Sequence, residues 1–330
     1  MKEILNRLIN HEVLSKQEAK EILVNISNGV YNNTQIASFL TVYMMRSITI
    51  EELEGFRDAL LELCIAVDLS EYNPIDLCGT GGDGKDTFNI STLSSFVTAG
   101  AGVKVTKHGN YGVSSKCGSS NVMEYLGIKF SNNKDFLKRS IEETGICILH
   151  APLFHPAMKN VAPIRKELAV KTFFNMLGPM VNPAFPKNQM VGVFNLELAR
   201  IYGYLYQNGN KNFSILHSLD GYDEISLTGA TKIISRHREQ MITPEDFGIP
   251  ALQQKDIIGG DSIEASANIF MQVISGNGTE AQNNVVSANA GVAIATVEGL
   301  SPKEGFEKAK ESLLSGKGLE VLKKVQELSK

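Results

Sequence analysis

The run IDLCGTGGDGKDTFNIST places Gly79, Gly81, Gly82 and Gly84 directly behind a short apolar stretch and ahead of a helical pattern that starts near Ser91. Glycine lets a backbone turn tightly and aim successive N–H groups at one anion, and a helix N-terminus adds a favourable dipole. Thr87, Asn89, Ser91 and Thr92 add side-chain donors. The run is not a Walker A loop, since no Gly-Lys-Ser or Gly-Lys-Thr follows, and its glycine spacing is not that of a dinucleotide fingerprint. On these residues alone two readings stand, a phosphate cradle or a glycine-rich turn closed by an Asn/Ser cap.

A second loop, KHGNYGVSSKCGSS, follows an apolar stretch and carries Lys107, His108 and Lys116. Loops at strand ends are where α/β sheets bind ligands. The two loops can therefore cradle one phosphorylated ligand, although a solvated turn is the plainer fate of such lysines. Further on, HPAMKNVAPIRKELAVKTFFNMLGPMVNP carries His155, Lys159, Arg165, Lys166 and Lys171. Arginine presents a planar fork suited to a carboxylate, whereas Lys159 and Lys166 read as a solvated helix face. In HSLDGYDEISL the adjacent acids Asp223 and Glu224 fall in a loop. There both can reach Mg2+, which prefers carboxylate and phosphate oxygens; a solvated acidic turn is the alternative.

These loops need elements to position them. The first seventy residues read as about four short helices. Ser15 with Glu18 and Thr49 with Glu52 form capping boxes, Leu53, Phe56, Leu60 and Cys64 recur at helical spacing, and Ile36 to Met45 is apolar. From Asn73-Pro74 onward, strands at Ile75–Cys78, Val103–Thr106, Cys147–Leu149, Met190–Phe194 and Phe213–His217 alternate with helices at Ser120–Leu126, Lys134–Thr144 and Leu196–Tyr206. The tail reads as helices Glu280–Val297 and Pro302–Ser315. Alternation of this kind builds a mostly parallel sheet with helices on its faces. The expected fold is thus α/β, with a small all-helical N-terminal domain and a large α/β domain.

The net charge of −4, from 32 basic and 36 acidic side chains in 330 residues, argues against a dedicated nucleic-acid binder. No apolar run approaches the ~18 residues that span a bilayer. Cys64, Cys78, Cys117 and Cys147 are far apart and form no zinc-type pair, which suits reduced thiols in the cytoplasm.

In this order the blocks GTGGDGKDTFNIST, KHGN with VSSKCGS, HPAMK with APIRKEL, TFFNMLGPMVNP and GYDE resemble the anthranilate phosphoribosyltransferase family over essentially the whole chain. The resemblance implies transfer of phosphoribose from 5-phosphoribosyl-1-pyrophosphate (PRPP) to anthranilate, in tryptophan biosynthesis, with Mg2+ at two ions per subunit. It implies a helical domain over 1–70 that takes in about 156–180, a catalytic domain over 71–330, and a homodimer packed through the helical domain. By matched position, PRPP is expected at Gly79, Gly82, Asp83, Thr87, Asn89, Ile90, Ser91, Thr92, Lys107, His108, Gly109, Asn110 and Ser119. Anthranilate is expected at Gly79, Asn110 and Arg165, and metal at Ser91, Asp223 and Glu224. No covalent nucleophile is expected, and His108 is the candidate general base. The sequence departs from the family at Tyr111 and Lys171, where arginine is usual, and at Asn121, where aspartate is common. The rival enzyme of this fold is a pyrimidine nucleoside phosphorylase, whose KHSTGG-type loop this chain lacks. The rival of another class is a nucleic-acid-binding relative, which would need a basic groove.

Overall fold

The computed structural model describes residues 1–112 and 117–330. The chain forms two compact units, Met1–Val67 with Ala151–Phe185, and Asp68–His150 with Pro186–Lys330.

The first unit contains the helices Lys2–Ile9, Lys16–Ser27, Asn33–Met45, Ile50–Leu63 and Ala162–Leu168. Both expected capping boxes are present, and Asn32 with Gln35 forms another. The later segment completes the core: the Phe173 ring stacks on Phe56 at 4.5 Å and meets Phe39 and Tyr43 edge-on. Glu52 does more than cap. It is fully buried, accepts from Leu14 N–H and Tyr43 O–H, each at 2.9 Å, and pairs with Arg46. Removing one partner of such a buried pair leaves the other uncompensated, at a cost of about 3–5 kcal/mol.

The second unit is built on a seven-stranded sheet: β1 Ile75–Gly79, β2 Val105–Gly109, β3 Ile146–His150, β4 Asn188–Gly192, β5 Asn212–Ser218, β6 Thr231–Ser235 and β7 Glu239–Ile242. Its spatial order is β3-β2-β1-β4-β5-β6-β7. Pairing is parallel from β3 across to β5 and antiparallel for β6 and β7. The expected strands are all found, but β2 runs on to Gly109 and β4 begins earlier, at Asn188. Lys107 and His108 are therefore buried strand residues, not part of a surface turn. The hairpin β6–β7 and the helices Ile263–Ile274 and Lys317–Leu328 are additions to the expected elements.

Helix Glu280–Glu298 is buried over most of its length and, with helix Ile90–Gly100, forms the centre of the core. The chain leaves β1 for β2 on one side, while β4 lies on the other. The reversal puts the topological switch point between the carboxyl ends of β1 and β4, at Gly79 and Gly192. Among the described residues, no helix is long and apolar enough to cross a membrane.

Candidate active site

Asp223 lies across that switch point. A Cβ on Gly192 would fall 1.4 Å from the Asp223 carbonyl oxygen, and one on Gly79 would fall 2.4 Å from Asp223 Oδ2. Neither position has room for a side chain, so the two strand ends admit the loop after β5 only because both are glycine. The Asp223 carboxylate in turn accepts from Gly81 N–H at 2.7 Å.

The glycine loop needs its residues for a different reason. Gly81, Gly82 and Gly84 have φ of 64°, 79° and 72°, while a Cβ on Gly81 or Gly84 would meet nothing within 4 Å. Positive φ, not crowding, demands glycine there. The loop leads into helix Ile90–Gly100, and Glu224 reaches that helix's N-terminus. Its carboxylate accepts from Ser91 N–H at 3.1 Å and from Thr87 O–H at 3.1 Å. Asp83 accepts from Lys85 N–H at 3.1 Å. Asn89 donates to the Cys117 carbonyl at 3.2 Å, which ties the glycine loop to the second loop.

Three carboxylates crowd this end of the sheet. Burial pushes the Asp223 carboxyl up, and the nearby Asp83 charge adds to it. Glu224 is pushed up by burial, then by Asp223 and Asp83. The amide and hydroxyl donors pull the other way and do not cancel it. A cluster that resists its own ionisation is a place for a cation. Among the described residues no three His, Cys, Asp or Glu side chains form a ready metal cage. Mg2+ does not need one, because it keeps several waters and takes only one or two carboxylates besides phosphate oxygens. The donor set of Asp223, Glu224 and the Ser91 hydroxyl fits such an ion.

On the neighbouring strand, Lys107 is buried and donates from Nζ to the Leu77 carbonyl at 2.9 Å. Burial lowers its pKa, opposed first by the Asp76 charge. The His108 N–H donates to Asp76 Oδ1 at 3.2 Å. Ser119 approaches the strand end closely: a Cβ on Gly109 would lie 2.5 Å from its Oγ, which donates to the Asn110 carbonyl at 3.3 Å. Lys116 lies outside the described residues.

Arg165 belongs to the helical unit. Its Nη2 donates to Asn175 Oδ1 at 3.2 Å and its guanidinium sits 5.3 Å from the Phe174 ring centre. Nε is buried without a hydrogen-bond partner among the described residues. Lys159 and Lys166 are exposed, as a solvated face requires. His155 is buried, and burial holds its ring down to about 4.

Several supporting residues escape a reading of the sequence. Asp76, fully buried in β1, accepts from His108 N–H and from Gln189 Nε2 at 3.2 Å, joining β1 to the strands on both sides. Its signal is an acid inside an apolar run. Gly259 donates to the Asp86 carbonyl at 2.8 Å, and a Cβ on it would meet the Thr87 carbonyl oxygen at 2.7 Å. Segment 257–259 thus clasps the exit of the glycine loop through a close backbone approach that spacing does not reveal.

Comparison with known proteins agrees with this geometry. The glycosyl transferase family, helical bundle domain, matches residues 2–64, and the glycosyl transferase family, a/b domain, matches residues 71–319. The anthranilate phosphoribosyltransferase of Flavobacterium psychrophilum is 77% identical over 329 residues, covering 100% of both chains. The chain belongs to the anthranilate phosphoribosyltransferase family. The Bacteroides thetaiotaomicron relative is 54% identical over 333 residues, covering 100% of this chain and 99% of that one. Among solved structures, the anthranilate phosphoribosyltransferase (TrpD) from Thermus thermophilus superposes with a TM-score of 0.91 at 31% identity, covering 98% of each chain. The Saccharomyces cerevisiae anthranilate phosphoribosyltransferase in complex with PRPP and Mg gives a TM-score of 0.90 at 27% identity, covering 98% of this chain and 96% of that one.

Membership in the anthranilate phosphoribosyltransferase family sets aside the nucleoside phosphorylase and nucleic-acid alternatives. The chain's departures from the family pattern have local accounts. Asn121 accepts through Oδ1 from Gly112 N–H at 2.9 Å and Gly118 N–H at 3.0 Å, bonds an aspartate would also accept. Tyr111 turns its hydroxyl to Glu124 and sets its ring edge-on to His150 at 4.8 Å. Lys171 is exposed.

Proposed function

We propose that the crevice at the carboxyl ends of β1 and β4 holds PRPP through Gly79, Gly82, Asp83, Thr87 and Asn89 to Thr92, with Lys107 to Asn110 and Ser119 on the adjoining strand end. Mg2+ is assigned to Ser91, Asp223 and Glu224, two ions per subunit, and anthranilate to Gly79, Asn110 and Arg165. The protein is an enzyme of its family's kind: it transfers the phosphoribosyl group of PRPP to the amine of anthranilate, giving N-(5-phosphoribosyl)anthranilate and pyrophosphate in tryptophan biosynthesis. The observation that carries the site assignment is the placement of both carboxylates against the glycine loop and the N-terminus of helix Ile90–Gly100.

Bound Mg2+ supplies charge neutralisation for the departing pyrophosphate. The chain's own residues do the rest. The Gly81 and Ser91 N–H groups hold the Asp223 and Glu224 carboxylates in place before substrate arrives, and charge fixed in advance needs no reorganising as the leaving group forms. A guanidinium fork suits the anthranilate carboxylate, and positioning of a weak amine nucleophile supplies much of an enzyme's rate. His108 is the candidate to take the amine's proton. No covalent nucleophile is needed.

The expected result is phosphoribosylanthranilate formation from purified protein with both substrates and Mg2+, and its loss when Mg2+ is withheld. Consumption no faster than a blank with Mg2+ supplied would refute the reading.

We also propose a homodimer formed through the helical unit. Ile9, Val13, Val30, Met44 and Met45 are exposed there, Met45 to 82%. Light scattering should give twice the 36.0 kDa of one chain at micromolar protein; the mass of a single chain would refute it. All four cysteines are free thiols, which fits a reducing compartment such as the cytoplasm.

A further inference from the structure

The acidic pair sits on a loop, yet its geometry at the glycine loop must hold to within a fraction of an ångström to be useful. Something has to fix its backbone. On one side Ser218 Oγ donates to the Glu224 carbonyl at 2.6 Å. On the other side stands Asn289, at the middle of helix Glu280–Glu298 and 1% exposed. Its amide grips the next residue twice: Oδ1 accepts from Ile225 N–H at 3.0 Å and Nδ2 donates to the Ile225 carbonyl at 2.9 Å. The other Nδ2 hydrogen goes to the Val285 carbonyl one turn back, at 2.9 Å.

Ile225 is 1% exposed, so its peptide groups lie away from water and need partners. No strand offers them, because β5 ended at Ser218. An apolar residue at position 289 would leave both unpaired, and a shorter polar one would not reach them both. The amide of asparagine carries donor and acceptor on one rigid plane and mimics a neighbouring strand.

We infer that Asn289 is a positioning residue for the acidic pair: by clamping the Ile225 backbone it turns the Asp223 and Glu224 carboxylates toward the glycine loop and sets how tightly the site takes PRPP with Mg2+. The inference rests on the site assignment above and adds a residue that touches neither substrate nor metal.

The test is a double-mutant cycle of Asn289→Ala and Glu224→Ala, read by calorimetric titration of PRPP in the presence of Mg2+ and by steady-state KM values. Partners behind metal ligands typically account for 10–100-fold in affinity, so Asn289→Ala should weaken PRPP binding by about that factor. The anthranilate KM should stay within about twofold, and in the Glu224→Ala background Asn289→Ala should cost clearly less than in the wild type, the part acting through Asp223 remaining, because coupled sites do not add. Ile294→Ala, a buried change on the same helix but five residues on and so turned well away from the Asn289 face, should lower thermal stability and leave PRPP affinity unchanged. If Asn289→Ala does not fold, Asn289→Asp keeps size and the Oδ1 acceptor but loses both donors, and it should show the same selective loss. An equal loss in both backgrounds, equal rises in both KM values, or unchanged PRPP affinity would overturn the inference. A wild-type protein that binds no PRPP with Mg2+ would instead overturn the site assignment, and the inference with it.

Discussion

Replacing Asp223 and Glu224 together with alanine is expected to lower kcat by about 10²–10³-fold, the scale on which preorganised charge stabilisation acts, and to flatten the response to added Mg2+. The thermal unfolding temperature of the unliganded protein should not fall with it. Both carboxyls are pushed up, Asp223 by burial and then Asp83, Glu224 by burial and then Asp223 and Asp83. An acid whose folded pKa is raised binds its proton more tightly folded than unfolded. Its ionisation therefore drains stability as pH climbs from the ordinary carboxylate range through the raised value. At neutral pH the fold must hold protons that the unfolded chain gives up, or else carry buried charge, and either is a burden on the empty fold that alanine removes. The substitutions also strand the N–H groups of Gly81 and Ser91, which accounts for a small opposing loss. A sharp loss of rate without a loss of stability marks residues kept for a ligand. A normal kcat with an unchanged Mg2+ titration would take the pair out of the metal site, and a collapse of the unfolding temperature would make it structural.

The parts of this site that are legible in the sequence are those whose chemistry is carried by residue type alone. Four glycines behind an apolar run, two adjacent acids in a loop and a capping box are visible without coordinates, because residue type and local spacing alone mark them. Helix Lys134–Thr144 matches its expected bounds to the residue, since Asn133 caps it and Gly145 ends it with a left-handed turn at φ 83°. The edge hairpin leaves no such signal. β7 reads EQMI and has one buried residue, so the alternation that marks a half-buried strand is nearly absent. The end of β2 is misplaced in a sequence reading because Lys107 and His108 look like turn residues. Their burial is supported by partners on β1: the Leu77 carbonyl for the lysine and Asp76 for the histidine backbone.

The same distinction separates the legible from the hidden residues around the crevice. Gly192 needs glycine because of Asp223, which is remote in sequence, and Gly259 because of Thr87. Asn289 looks like a stray amide in VVSANAGVAIA until the Ile225 backbone is placed beside it. A polar residue inside an apolar element, or a glycine inside a strand, is the trace such partnerships leave in a sequence. The trace gives the position and withholds the partner, which only the fold supplies.

Arg165→Ala is expected to raise the anthranilate KM by roughly 10–150-fold, the equivalent of a charged hydrogen bond contributing ~1.5–3 kcal/mol, with a much smaller change in the KM for PRPP. The rival explanation, an arginine on a solvated helix face, fails on its surroundings. Its neighbour Lys166 is exposed, whereas Arg165 is half-buried, with its guanidinium against Phe174 and one nitrogen on Asn175. Among the described residues it has no carboxylate partner, and Nε finds no hydrogen bond at all. A guanidinium taken out of water and left without an anion is unfavourable unless an anion arrives later. Asn175 accepts from only one corner of the fork and is itself fixed by Thr172 N–H at 3.2 Å, so it orients the group without neutralising it. A planar carboxylate bound in two-point fashion is the ligand that geometry suits. Arg165→Lys keeps the charge and loses the fork, and should recover only part of the affinity. Equal rises in both KM values would sink the assignment, as would full recovery by lysine, which would leave charge alone as the requirement.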